Sequence, residues 1–264
     1  MATTASNVPA TKTVVARIPY LNCDPFFQGL SLGGSWEWVE CSPRQLGLEA
    51  EAGRVTAGPM ALVDFFRLQD SFERLGSLGI AVRGRCGSAV LFSSKPVRQL
   101  DGATIAVTEE TSTTALLLRL ILEVRFGLAP KQYVRGAATD DVDGVLLIGD
   151  EALTFRVTNR RFPYETDLAF EWWLWQHLPS LFAVWAIRKD CAPPDKQRLS
   201  RLLQQQLAHN LGRLDELASA RAASLGVPAE ELAQYLSHFI YRLSDPEERA
   251  IKQFEHLLHE HHLL

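Results

Sequence analysis

The sequence predicts an α/β protein of two lobes that close on a cleft, and three observations predict it. Apolar, β-branched runs alternate with helical patterns along most of the chain. The alternation restarts after Ser94, and a long apolar strand near 180–189 brings the chain back. Polar turns stand at the carboxyl ends of several of these strands, where α/β sheets hold their ligands.

Each element has its own signal. TVVARI at 13–18 is β-branched and apolar, as a buried strand requires. The turn YLNCDP follows, then a helical piece around 26–30, a strand EWVEC at 37–41, and a helix at 43–52 ended by Gly53. TAGPMALVDFFRL opens on Gly58 and Pro59 and runs into a helical pattern. LGIAVR and AVLFSS are two further strands separated by GRCG. After KPVRQLDG come a strand TIAVT, a polar loop EETST, a long helix at 113–126 closed by Gly127, a short strand YVRG, and a strand GVLLIG followed by DEA. SLFAVWAIRK at 180–189 is too apolar for a half-exposed strand. From Pro194 onward the chain reads as wholly helical: Leu199, Leu202, Leu203, Leu207, Leu211, Leu214 and Leu217 keep helical spacing, Gly226 and Pro228 break it, and Ser244 is the expected N-cap of the last helix. These signals place lobe 1 at 13–93 plus 188–264, lobe 2 at 94–187, and a disordered leader at 1–12.

The 264 residues are enough for a large core, and a net charge of -4 with a pI near 6.0 gives no general attraction to nucleic acid or to an anionic membrane. No apolar stretch approaches the roughly 20 residues that cross a bilayer, and MATTASNVPATK lacks the basic start and apolar run of a secretory signal. The expectation is a soluble, cytoplasmic protein with reduced thiols. Cys23, Cys41, Cys86 and Cys191 show no C-x-x-C spacing. His256, His259, His261 and His262 crowd a terminus that ordinarily frays, so no metal site is expected there.

Four loops follow strand ends: 20–25 with Asn22, 57–60, 109–114 and 148–151. The second and third are the expected anion sites, because backbone N–H groups at the start of a helix favour a carboxylate or phosphate. Thr111, Ser112, Thr113 and Thr114 supply more hydroxyls than an N-cap needs. Neither loop carries a dinucleotide or P-loop pattern, so a small carboxylate fits better than a nucleotide. Taken alone, Asn22 reads as a turn residue. Ser88 reads as a strand-edge serine, since GSAVLFSS lacks the nucleophile elbow. Asp150 reads as a helix cap and the tryptophans at 172, 173, 175 and 185 as core. Asp140, Asp141 and Asp143 read as a solvated acidic loop rather than a calcium loop.

The stretches RIPYLNCDPFFQGL, AGPMALVDFFRL, GSAVLFSS, TIAVTEETSTTALLLRLIL, VLLIGDEAL and LPSLFAVWAIR occur in one order across residues 14–190. Together they resemble the chorismate dehydratase family of the futalosine route to menaquinone. The resemblance implies a two-lobed, type II periplasmic-binding-protein-like fold, with C-terminal helices packed on the first lobe. It implies elimination of water from chorismate to give 3-[(1-carboxyvinyl)oxy]benzoate, a carbon–oxygen lyase reaction without cofactor or metal. By motif it assigns catalysis to Asn22 and Ser88. Tyr20, Gly58, Pro59, Met60, Thr111, Ser112, Thr113, Thr114, Gly149 and Asp150 become the expected substrate contacts.

An amide is no base at neutral pH, and no Glu, Lys or His stands at an obvious catalytic place within the motifs, which points to the substrate's own carboxylate as proton acceptor. Two positions depart from the family pattern. GRCG precedes Ser88 where a G-P-V-R-like turn is expected, and His177 stands where a small residue, often Gly, is usual. The alternative reading is a non-enzymatic binding protein for a small cyclic carboxylate on the same fold. The expected partner is a small molecule rather than nucleic acid or membrane, and the leucine-rich helices suit either packing on the first lobe or a homodimer contact.

Overall fold

The computed structural model describes residues 13–34, 36–136 and 141–264. The first lobe begins with β1 (Thr13–Arg17), a 3-10 turn at Leu21–Cys23 and α1 (Asp24–Phe27). It continues through β2 (Trp36–Glu40), α2 (Pro43–Glu51), β3 (Ala57–Ala61), α3 (Leu62–Leu68) and β4 (Phe72–Val82). The second lobe runs β5 (Ala89–Ser93), β6 (Thr104–Val107), α4 (Thr113–Arg119), β7 (Gln132–Arg135), β8 (Gly144–Ile148), α5 (Gly149–Thr158) and β9 (Tyr164–Asp167). The chain returns through α6 (Leu168–Gln176) and β10 (Ser180–Arg188). It ends with α7 (Pro193–Leu211), α8 (Leu214–Leu225), α9 (Ala229–Ser237), β11 (Phe239–Arg242) and α10 (Asp245–Glu260).

The strand orders are β11-β4-β10-β3-β1-β2 in one sheet and β7-β6-β8-β5-β9 in the other. Both are built alike. β1 lies parallel to β2 and β3, and β6 parallel to β7 and β8. Beside each parallel trio lies an antiparallel strand at a crossing between lobes: β10 next to β3, and β5 next to β8. Each of these two strands is hydrogen-bonded on both sides within its own sheet, so the crossings lie in the segments just before them, the turn at 83–88 and α6. β3, β5 and β8 are buried along their whole length, as strands covered on both faces must be.

These pairings move the expected lobe boundaries. Sequence pattern groups β5 with lobe 1 and most of β10 with lobe 2, yet β5 pairs with β8 and β9, and β10 with β3 and β4. The crossing takes place in the turn at 83–88, before the strand that periodicity groups with its predecessor. The C-terminal part is not wholly helical either. The leucine run breaks at Gly212, and β11 pairs antiparallel with β4, Phe239 opposite Val82. The helix expected at 113–126 is α-helical to Arg119 and continues as a π-helical turn at Leu120–Arg125. At the start of α10 the Glu247 carboxylate accepts from the Ser244 N–H at 2.9 Å and from its hydroxyl at 2.7 Å, the capping expected of Ser244. The proposed leader at 1–12 and Asp140 lie outside the described residues. Among the described residues no helix is long and apolar enough to cross a membrane.

The core runs through both lobes. Leu62, Val63 and Phe66 of α3 share one apolar cluster with Leu91, Leu117 and Leu146 of the second lobe. A second cluster places the fully buried Trp185 against Phe26, 5.5 Å between ring centroids, and Phe26 against Tyr241 at 5.4 Å. This edge-to-face stack packs β10, α1 and β11 together under the turn that follows β1.

Candidate active site

The carboxyl ends of β1, β3, β6 and β8 converge on a cavity that opens to solvent, the place where α/β sheets hold small ligands. Ile18, Cys23, Pro43, Ala61 and Phe182 line it from the first lobe. Ser88, Thr111, Thr113, Thr114 and Ile148 line it from the second, and Cys86 from the crossing turn.

Ser88 is buried at the foot of β5. Its Oγ lies 2.8 Å from the Tyr235 hydroxyl and 3.4 Å from Cys86 Sγ, and its carbonyl accepts from the Gly149 N–H at 2.8 Å. Asp167 holds the turn before it. One carboxylate oxygen accepts from the N–H groups of Cys86 at 3.0 Å and Gly87 at 2.7 Å, while the other caps α6 through the Phe170 N–H at 3.0 Å. Burial pushes the Asp167 carboxyl up from the usual range, and these three backbone donors oppose that shift.

Asn22 occupies the 3-10 turn after β1, half-buried and next to Cys23. Its carbonyl accepts from the Tyr241 hydroxyl at 2.9 Å, and its side-chain oxygen lies 3.6 Å from Cys23 Sγ. Its amide NH2 makes no hydrogen bond to the described residues. Tyr20 packs its ring on Gly149. A Cβ at 149 would lie 2.6 Å from the ring, and φ is +57° there, so only glycine serves. The Tyr20 hydroxyl donates to the Glu110 carboxylate of the opposite lobe, and burial raises the phenol far above its ordinary range.

The hydroxyls at 111–114 divide their work. Thr111 Oγ1 accepts from the Thr114 N–H at 3.1 Å, and Thr113 Oγ1 accepts from the Val63 N–H of α3 at 3.1 Å. Ser112 lies near the buried Asp64 carboxyl and opposes the rise that burial gives it. A threonine oxygen that accepts from a backbone N–H keeps its own proton to donate. Thr111 and Thr113, together with Thr114, thus bring O–H donors to the cavity wall. Behind the loop, Arg135 donates to the carbonyls of Thr108 at 3.2 Å and Thr111 at 2.9 Å.

The wall carries no formal charge. Among the described residues that line it there is no carboxylate, imidazole, ammonium or guanidinium. The two thiols are held protonated: burial pushes Cys86 up to about 12, and Cys23 well above its ordinary value.

A family model described as menaquinone biosynthesis matches residues 13–260. The chain belongs to the menaquinone biosynthesis family. It is 32% identical over 256 residues to a chorismate dehydratase of Thermus thermophilus, covering 90% of this chain and 92% of the relative. Protein AF1704 from Archaeoglobus fulgidus shares the fold with a TM-score of 0.76 at 21% identity, over 95% of this chain and 98% of that one. The alkanesulfonate-binding protein SsuA from Xanthomonas axonopodis pv. citri, bound to MOPS, gives a TM-score of 0.66 at 16% identity, over 96% and 93%. The two-lobed periplasmic-binding-protein-like architecture is therefore the fold of this family member.

Against this fold the expected contacts of the family member sort into three groups. Ser88, Thr111, Thr113 and Thr114 line the cavity and Ser112 does not, while Asn22 adjoins the lining residue Cys23 and Tyr20 packs on Gly149, next in sequence to the lining residue Ile148. Gly58, Pro59 and Met60 are not a helix-capping loop. They form the middle of buried β3, and only Ala61 at its end reaches the cavity. Glycine at 58 answers a close approach, since a Cβ would lie 2.9 Å from both Ala16 Cβ and Leu46 Cδ1. Asp150 neither caps α5 nor lines the cavity. One oxygen accepts from the Leu21 N–H at 2.9 Å, and the other takes the Arg221 guanidinium, which also reaches Asp24 at 3.0 Å.

Of the two departures from the family pattern, GRCG places Cys86 on the cavity wall, while His177 is the exposed left-handed cap of α6, with φ +55°, where glycine is favoured. Of the four tryptophans read as core, Trp172 and Trp185 are buried, whereas Trp173 and Trp175 are half-buried. Tyr235, Tyr241 and Arg221 were missed, because neither the C-terminal helices nor β11 carry a motif to mark them.

Proposed function

We propose that this chain is a hydro-lyase that dehydrates chorismate to 3-[(1-carboxyvinyl)oxy]benzoate in the menaquinone route. The uncharged, hydroxyl-lined wall carries the reading, and the near full-length match to a chorismate dehydratase supports it. Chorismate has two carboxylates and a hydroxyl on a cyclohexadiene ring. Loss of water makes that ring aromatic, so the step is downhill and needs no electron carrier. What remains for the protein is to orient the substrate, route one ring proton and assist the leaving hydroxide.

No ionised base lines the cavity among the described residues, so the ring proton passes to the substrate's own carboxylate. The ring C–H electrons form the new double bond, the C–O bond breaks, and the hydroxide leaves as water with the proton that the carboxylate took from the ring, which regenerates the carboxylate. Ser88 O–H and the Asn22 amide NH2 donate to the substrate oxygens on which charge develops. The hydroxyls of Thr111, Thr113 and Thr114 hold carboxylate oxygens, and Tyr20 with Glu110 closes the cleft. A cytoplasmic location belongs to the same proposal, and the four free cysteines, three of them buried, fit it.

The test is metal-stripped protein with chorismate, followed by chromatography for the aromatic ether, with Asn22→Ala and Ser88→Ala alongside. Conversion is expected without added cofactor, and removing either donor lowers kcat by about 10²- to 10³-fold. Tight chorismate binding without turnover would instead make the chain a binding protein.

A further inference from the structure

The hydroxyl nearest to Ser88 belongs to a helix far along the chain. Tyr235 lies on α9 and is buried, and among the described residues its O–H has one hydrogen-bond partner, Ser88 Oγ at 2.8 Å. A buried phenol needs an acceptor for its proton. That serine oxygen is the acceptor in reach among the described residues, so the bond that satisfies the phenol runs from Tyr235 to Ser88. The serine proton must then point elsewhere. Cys86 Sγ at 3.4 Å is a weak acceptor, and the other direction opens on the cavity that Ser88 lines.

We infer that Tyr235 is a positioning residue for the proposed dehydration, its phenol fixing the Ser88 hydroxyl so that the serine proton is presented to the substrate. Were the bond reversed, Ser88 would offer the cavity only lone pairs, which repel a carboxylate or a departing oxygen. Burial also raises the phenol well above its ordinary range, so Tyr235 stays a donor through neutral and mildly alkaline pH. The inference rests on the reaction assigned above and gives the C-terminal helices a part in the site.

The experiment is steady-state kinetics on chorismate with the full chain as wild type, Tyr235→Phe, Ser88→Ala and the double variant, with thermal unfolding of each. Tyr235→Phe keeps the ring and loses only the hydroxyl. It should lower kcat about tenfold or more, change KM less than about threefold, and melt within a few degrees of wild type. In the Ser88→Ala background the same substitution should have little further effect on kcat, because Tyr235 acts through the serine. A Tyr235→Phe variant with wild-type kcat overturns the inference. So does an equal loss in both backgrounds, which would mark a general structural role. Wild type that leaves chorismate intact overturns the assigned reaction and the catalytic part of the inference with it, an outcome distinct from either of these.

Discussion

Charge is distributed unevenly between the cavity and the contacts that hold the lobes around it. The wall offers hydroxyls, thiols and apolar side chains. The rim is ionic: Glu110 takes the Tyr20 hydroxyl across the cleft, and Arg221 of α8 joins Asp24 of the first lobe to Asp150 of the second. Ions at the rim give lobe closure direction, and a neutral wall leaves a substrate carboxylate free to accept a proton. A guanidinium in the wall would compete for that carboxylate and weaken it as a base. The difference teaches that charged and neutral groups do separate jobs here, closure and chemistry.

The largest effect that would break this division is Arg221→Met. It leaves the buried Asp24 carboxylate with Arg17 alone, 3.7 Å away, and that of Asp150 with the Leu21 N–H alone, and should cost about 2–3 kcal/mol by urea unfolding at neutral pH, less than for a fully buried pair because Arg221 is partly exposed. The pH dependence follows from burial. Desolvation already raises the folded-state pKa of both aspartates, and Arg221 opposes the shift. Without the arginine both rise further above their unfolded values. An acid with a raised folded pKa is best tolerated at low pH, and its contribution to stability is lost as pH climbs through the folded pKa. The deficit of the variant should therefore be greatest at neutral pH and shrink towards the unfolded carboxylate range near pH 4. A deficit constant between pH 7 and 5 would mean that Arg221 acts by packing.

Gly149→Ala tests the seam between rim and wall. The added methyl meets the Tyr20 ring in a left-handed backbone, so stability should fall by about 1–3 kcal/mol and KM should rise as the Tyr20–Glu110 tie is displaced. Thermal unfolding and kinetics measure the two, and an unchanged KM would detach that tie from substrate closure. The smallest effect is an expected constancy. With Cys86 pushed up to about 12 and the Cys23 thiol also raised, no wall group titrates near neutrality, so kcat should stay flat from about pH 6 to 9. A bell-shaped profile would place an ionising residue in the chemistry and break the comparison.

Local chemistry determined much of this protein from the sequence alone. Strand and helix periodicity sufficed for the α/β class and the two lobes, and the polar turns at strand ends for a cleft between them, because each is a property of neighbouring residues; Asn22 and Ser88 read locally as a turn residue and a strand-edge serine, and only the family resemblance marked them. Tertiary structure decided the rest. Whether β5 belongs to the sheet before it or after it depends on which backbone groups it pairs with, and β3 reads as a helix start until its pairing with β10 makes it a strand. The partners of Ser88 and of Asp150 lie 147 and 71 residues away in the chain, on helices with no motif of their own. Such partnerships arise from packing, and no local pattern records them.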